Sequence, residues 1–335
     1  MNLTQPPYPF HPIATSLHHA VFYSVISIIF PSDTAITLSV LIVQFLASLF
    51  VLYLFYHLLI ENFHLDIRRS LTLVYIYDLI FISPFLILAI SEILFLFYQL
   101  LAWTLFFRRR YFFAALATAM TFAVRFTGAF FVVGMLLAFL LEWWGVKDTS
   151  LRLLIHIILA SFLMFVIGFS SFLLSLFAFN DFWLPITSQS EIYQESQGYA
   201  TSGMFSFPFL WWLTYFQWVF LSNSPFEFVY LILAVITLGL GFLSLYALLK
   251  RSYENNSKNY RSMTLIFLFG FLGVNFIVSG SNFPRFLCYV FPMFPIFPLW
   301  LQSHNISSFN SFILIIGAGT WGILFNILWW MTYPI

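Results

Sequence analysis

Five stretches of this chain, 35–60, 151–178, 225–249, 262–279 and 308–331, stay apolar for long enough to cross a bilayer. Crossing about 30 Å of hydrocarbon takes about 20 helical residues at about 1.5 Å each. Shorter apolar pieces lie around them: 15–30, 71–83 and 85–107 parted at Ser83-Pro84, 111–124 and 127–144 parted around Arg125 and Gly128, 207–221, and 286–301. Short or broken helices at membrane depth persist only where they pack within protein or line a cavity. The expected fold is all-α, a polytopic integral membrane protein with one transmembrane helix bundle over 1–335 and no soluble domain or repeat.

Composition agrees. The chain is 62% hydrophobic and 7% charged, against about 25% charged in a soluble domain, whose surface must be wetted. Thirteen Lys and Arg against twelve Asp and Glu leave a net charge of +1, which gives nucleic acid nothing to bind. Cys288 is the single cysteine, so an intrachain disulfide and a Cys-rich metal site are both excluded. The first twelve residues lack a basic n-region and are rich in proline, which predicts an extended segment rather than a signal peptide.

Basic residues orient the bundle, because Lys and Arg collect in cytoplasmic loops. With both parted pairs taken as hairpins, Arg68-Arg69, Arg108-Arg109-Arg110, Lys147 with Arg152, and Lys250, Arg251, Lys258 and Arg261 all fall on one side. The opposite side receives the polar loop 180–206, the hairpin tips and the 280–285 turn, and with them Glu92, Arg125, Arg285 and Asp78. Charged groups inside a bilayer cost several kcal/mol unless paired or wetted, which makes them candidates for function. Two readings stand. Arg125 can pair with Glu92 to hold two hairpins together while Arg285 snorkels to the interface, or both arginines can bind a lipid phosphate, whose oxygens match the planar guanidinium fork.

Several segments, in order, bear on the choice. "FISPFLILAISEILFLFYQLLAW" (81–103), a basic turn and "AALATAMTFAVRFTGAFFV" (114–132) resemble the Pro…Ser-Glu-x-x-Phe and Arg-x-x-Gly segments of PIG-V type mannosyltransferases, a family of GT-C membrane glycosyltransferases. "FPRFLCYVFPMFPIFPLW" (283–300) is similar to that family's C-terminal Pro-Arg-Tyr…Phe-Pro-x-Phe segment, with Phe286 in place of Tyr. "NDFWLPITSQ" (180–189) and "PYPFHPI" (7–13) resemble its Gly-Asp-Pro loop and its Phe-Phe-Pro-x-Tyr-Pro stretch.

The resemblance implies a GT-C-like bundle that transfers a sugar, mannose by the family's habit, with inversion. The donor would be a polyprenyl- or dolichyl-phosphate sugar and the acceptor a lipid or glycan hydroxyl. The setting would be the extracytoplasmic face of a bacterial-type cell membrane, or the ER membrane in a eukaryote, with membrane lipids as further partners. Arg285 and Arg125 would bind the donor phosphate, Glu92 would orient an arginine, and His11, in "PYPFHPI", would support them. The family's catalytic Asp lies in a Trp-Asp segment after a first helix. Neither is found ahead of "PYPFHPI", which implies a truncated reading or a member without activity. Asp33, Asp78 and Asp181 are the substitute bases.

His11, His18 and His19 raise a metal reading. Adjacent histidines cannot share a helix face and no carboxylate stands at ligand spacing, so interfacial packing fits better, although a divalent metal stays compatible with the chain. Trp183, Trp211 and Trp212 could stack on a sugar. The competing functions are a transporter or lipid flippase, whose buried charges would line a path near the midplane, and a non-catalytic membrane subunit.

Overall fold

A computed structural model describes residues 13–79, 92–125, 127–144, 151–183, 210–222, 225–255, 257–276, 295–304, 307 and 310–320. Among these residues the fold is all-helical, with no strand. Chain order gives α1 Ile13–Ile26, α2 Ser32–Glu61, α3 Ile67–Tyr77, α4 Glu92–Phe107, α5 Tyr111–Val124, α6 Gly128–Trp144, α7 Leu151–Gly168, α8 Ser170–Phe179, α9 Leu210–Ser222, α10 Pro225–Asn255, α11 Lys258–Phe276, α12 Ile296–Ser303 and α13 Asn310–Thr320.

Two helices are long and apolar enough to cross a membrane: α2, and α10 over Glu227–Asn255. α2 buries one stripe, Ala35, Ser39, Val43, Ala47, Val51, Leu54 and Leu58, at the three- and four-residue spacing that aligns side chains on one helix face. Its outward face is apolar as well, with Phe45, Leu49, Phe50 and Tyr53 exposed. α10 does the same with Ile232, Val235, Ile236, Phe242 and Leu243. A surface helix of a soluble protein would carry polar residues there.

Around this frame, α2 packs on α1, α3 and α4, and α5 packs on α4, α6, α7 and α1. α6 and α11 form the most intimate pair. Gly134 makes that possible, since a Cβ there would stand 2.9 Å from the Ile266 Cα. Small residues let apolar helices approach closely where no hydrophobic force drives them together.

One end of the bundle is basic and tied. Arg108, in the α4–α5 turn, meets Glu61 at the end of α2, with Nη2 2.6 Å from Oε1 and Nε donating to Oε2 at 3.2 Å. That hydrogen-bonded carboxylate pushes the Arg108 guanidinium above its ordinary pKa. Asp66 caps α3 by accepting from the Arg69 N–H at 2.9 Å, and the Arg69 Nη1 donates to the Leu301 carbonyl at 2.9 Å. Gln302 donates from Nε2 to the Phe63 carbonyl and to the Tyr260 hydroxyl. The ring of Phe106 packs on Phe139 at 5.3 Å, bringing the far half of α6 to the same end. The starts of α3, α5 and α11 therefore meet there, and with them Arg68, Arg69, Arg108, Arg109, Arg110, Lys258 and Arg261.

Two expected spans differ from the structure. The stretch 151–178 is not one helix, because α7 and α8 part at Phe169, whose φ −84° and ψ 7° leave the helical region. Gly168 is pressed onto α5 there, and a Cβ on it would come 2.3 Å from the Phe122 ring. Of 286–301, the described part is α12, which begins after Pro295. Pro298 is its third residue, a position whose N–H has no partner within a helix, so the proline removes no hydrogen bond. Residues 286–294 and 321–331 lie outside the described residues.

Candidate functional site

The opposite end of α4 and α5 carries two of the charges that the sequence singles out, Glu92 and Arg125. α4 is 16 residues long, so its first residue stands about 24 Å along the axis from the basic turn. That residue is Glu92, fully buried, and one of its oxygens, Oε1, lies 2.6 Å from Nη1 of Arg125. The Arg125 side chain is 16% exposed.

Local chemistry explains how α5 delivers its arginine. The helix closes at Val124, and Arg125 turns extended at φ −150° and ψ 140° while its N–H still bonds the Thr121 carbonyl at 3.0 Å. The Gly128 N–H then bonds the Arg125 carbonyl at 2.9 Å, and α6 starts at once. A side chain cannot fit at position 128, where a Cβ would lie 2.4–2.5 Å from the backbone of Thr121 and Phe122. The Arg-x-x-Gly spacing is thus a tight reversal that holds the arginine at the helix mouth. Thr118 and Thr121 donate their hydroxyls to carbonyls of α5 itself.

An ion pair at 2.6 Å offsets the charge on both partners. An anionic phosphate at Arg125 must compete with the Glu92 carboxylate already there, whereas neutral hydroxyl groups can donate to the carboxylate and accept from the guanidinium together.

Of the candidate bases, Asp33 is exposed in the first turn of α2 and Asp78 is half-buried just past α3. Asp181 accepts from the Trp183 N–H at 2.8 Å, in the turn that follows the left-handed Asn180. Neither Asp33 nor Asp181 makes an ion pair with Arg125. Asp181 nonetheless comes to that end of the bundle. The neighbouring Phe182 ring packs on Phe172 at 5.3 Å and stacks on Phe169, and both rings meet Phe122, three residues before Arg125.

Arg285, His11 and the Trp211 side chain lie outside the described residues. His18 is hydrogen-bonded through Nε2 to the Tyr98 hydroxyl at 2.6 Å, joining α1 to α4. No group of three potential metal ligands occurs among the described residues. Trp183 is exposed, while Trp212 is buried and donates from Nε1 to the Asn275 amide oxygen at 3.2 Å, a helix-to-helix tie rather than a sugar platform. No family model, characterised protein or solved structure matches the chain.

Sequence reasoning passed over Gln44. Its side chain is fully buried in α2, and both amide atoms lack a hydrogen-bond partner among the described residues. A glutamine inside an uncharged run of 26 residues, 35–60, is the signal that could have found it.

Proposed function

We propose that the chain is a polytopic membrane glycosyltransferase on a GT-C-like plan, transferring a hexosyl group, mannosyl by the resemblance, from a polyprenyl-phosphate sugar to an acceptor hydroxyl. The observation that carries this reading is the buried Glu92–Arg125 pair. It closes the junction between the two most distinctive segments, 81–103 and 114–132, at the end of the bundle away from the basic loops. With the basic end in the cytoplasm, the pair faces the extracytoplasmic leaflet, where lipid-linked sugars present their headgroups. The apolar outward faces of α2 and α10 support a bilayer as the solvent.

In the reaction the acceptor oxygen attacks the anomeric carbon, the bond from that carbon to the phosphate oxygen breaks, and the acceptor proton passes to a carboxylate. Polyprenyl phosphate leaves as a weak base and needs cationic donors rather than a strong general acid. Arg285 is assigned to that phosphate by the resemblance, while Arg125 is engaged by Glu92. Asp181 is the candidate base favoured by the ring contacts that link its neighbour Phe182 through Phe169 and Phe172 to Phe122, with Asp33 and Asp78 as the other candidates.

The test uses the purified chain in nanodiscs with polyprenyl-phosphate mannose, reading donor binding and release of polyprenyl phosphate. Arg285→Lys keeps the charge and loses the fork, so donor affinity should fall about tenfold, the loss of one charge-assisted hydrogen bond of about 1.5 kcal/mol. Binding as tight as the parent's would leave Arg285 an interface anchor. A parent chain that binds no donor would refute the reading.

A further inference from the structure

We infer that the basic end of the bundle is a docking surface for anionic lipid headgroups, held by Arg68, Arg109 and Arg110. The inference rests on the membrane part of the reading above and adds to it the chemistry of the lipid that this end recognises.

Adjacent arginines divide between two tasks there. Of the pair after α2, Arg69 is largely buried, with Nε 3.2 Å from Asp66 Oδ2 and Nη1 donating to the Leu301 carbonyl. Of the three between α4 and α5, Arg108 takes both oxygens of Glu61 and so ties the two tips together. Arg68, Arg109 and Arg110 are exposed and make no ion pair among the described residues. The carboxylates on these tips, Glu61 and Asp66, are thus already engaged. Glu142 is felt at Tyr111 together with Arg109, and Lys258 and Arg261 at the start of α11 set further positive charge against it.

The α4–α5 turn carries an arginine where another residue would sit more easily. The Arg109 N–H bonds the Phe106 carbonyl and the Arg110 N–H bonds the Leu105 carbonyl, each at 2.9 Å. Helices closed in this way usually place glycine at the left-handed position. Arg109 occupies it at φ 58°, a conformation that strains any residue with a Cβ. What glycine would not supply is a guanidinium group just past the end of α4.

The surroundings of these arginines select the partner. Phe112 and Phe113 come directly after the arginine turn and are 40% and 56% exposed, while Ile67 precedes Arg68 and Leu71 follows a turn later, both exposed as well. The unpaired guanidinium groups therefore adjoin outward apolar surface, as at the boundary where hydrocarbon gives way to headgroups. An acidic soluble protein would meet the charges and leave the apolar side chains to water. An anionic phospholipid meets both, because its phosphate accepts two parallel hydrogen bonds from a guanidinium and its acyl chains cover the rings. Basic clusters beside membrane helices are drawn to the negative cytoplasmic leaflet, the side to which the basic loops assign this end.

The test reconstitutes the chain in phosphatidylcholine bilayers with graded amounts of brominated phosphatidylglycerol, or of brominated phosphatidylcholine as control. Bromine quenches tryptophan by contact, and Trp144, exposed at the end of α6, is the reporter. The parent should prefer phosphatidylglycerol by about tenfold or more at low salt, each arginine adding about fivefold, and the preference should shrink at high salt. Arg68→Gln/Arg109→Gly/Arg110→Gln should lose it. Arg109→Gly alone should lose about fivefold and, in phosphatidylcholine, unfold at the parent's temperature or above, because glycine relieves the turn. A parent without the preference, a triple variant that keeps it, or an Arg109→Gly that keeps it and unfolds earlier would overturn the inference. So would soluble glycerophosphate displacing the lipid at equal concentration, which would mark a site for a free anion. Each of these leaves the donor reading intact. A parent that stays folded and monodisperse in buffer without detergent or lipid overturns both.

Discussion

Replacing Glu92 by Gln removes the fully buried charge of the pair and leaves the largely buried Arg125 guanidinium facing a neutral amide. At the 2.6 Å separation, two unit charges attract by roughly 6 kcal/mol at an effective dielectric constant of about 20. Desolvation of both ions offsets much of that, so the pair itself contributes little net stability, but an abandoned buried partner costs about 3–5 kcal/mol. Against a total stability of about 5–15 kcal/mol, the loss is severe. Glu92→Gln should lower the unfolding temperature in detergent by roughly 5–10 °C, while Glu92→Leu with Arg125→Leu should lie within a few degrees of the parent, both charges being gone. The assay is thermal unfolding followed by tryptophan fluorescence on the parent, Glu92→Gln, the single variants Glu92→Leu and Arg125→Leu, and the Glu92→Leu/Arg125→Leu double. If the double variant is as unstable as the sum of the singles, the side chains do not act as a pair and the reasoning fails.

Gly128→Ala forces a methyl group against the backbone of Thr121 and Phe122, where no side-chain rotation can relieve it, so it should cost about 1–3 kcal/mol or more and reduce detergent-stable yield; wild-type stability would contradict the tight reversal. A reporter fused after Tyr253 should read cytoplasmic and one inserted within 190–200 should read external, since the basic helix ends gather on one side. Both reporters on one side would overturn the topology and the outward placement of Glu92.

Much of the helix inventory is legible in the sequence because apolar runs and their interruptions are local. The run 111–124 is α5 to the residue, since the arginines before it and Arg125 after it mark both ends. That Arg125 could meet Glu92 also follows locally, from a hairpin with a basic turn. The break at Phe169 is a different matter, because it depends on Phe122, a ring brought in from another helix. The tie from Arg69 to the Leu301 carbonyl joins residues 232 apart, and hydropathy carries no information about such a pairing. Gln44 is visible as a polar residue in an apolar run, yet its depth relative to Glu92 emerges only from the register of two helices that are not neighbours in sequence.

If the chain is the polytopic membrane protein proposed above, the Glu92–Arg125 pair also bears on how it enters the bilayer while it is being made. Its two halves are 33 residues apart in sequence, and synthesis at about 5–20 residues per second exposes the carboxylate roughly 2–7 s before the arginine exists. During that interval α4 has no counter-ion within its own hairpin, and its release into lipid alone would carry an uncompensated charge. On the proposed membrane reading, the insertion machinery would have to retain α4 until α5 is complete and pass the two into the bilayer together, so that Arg125 would set the order of assembly as well as the final packing.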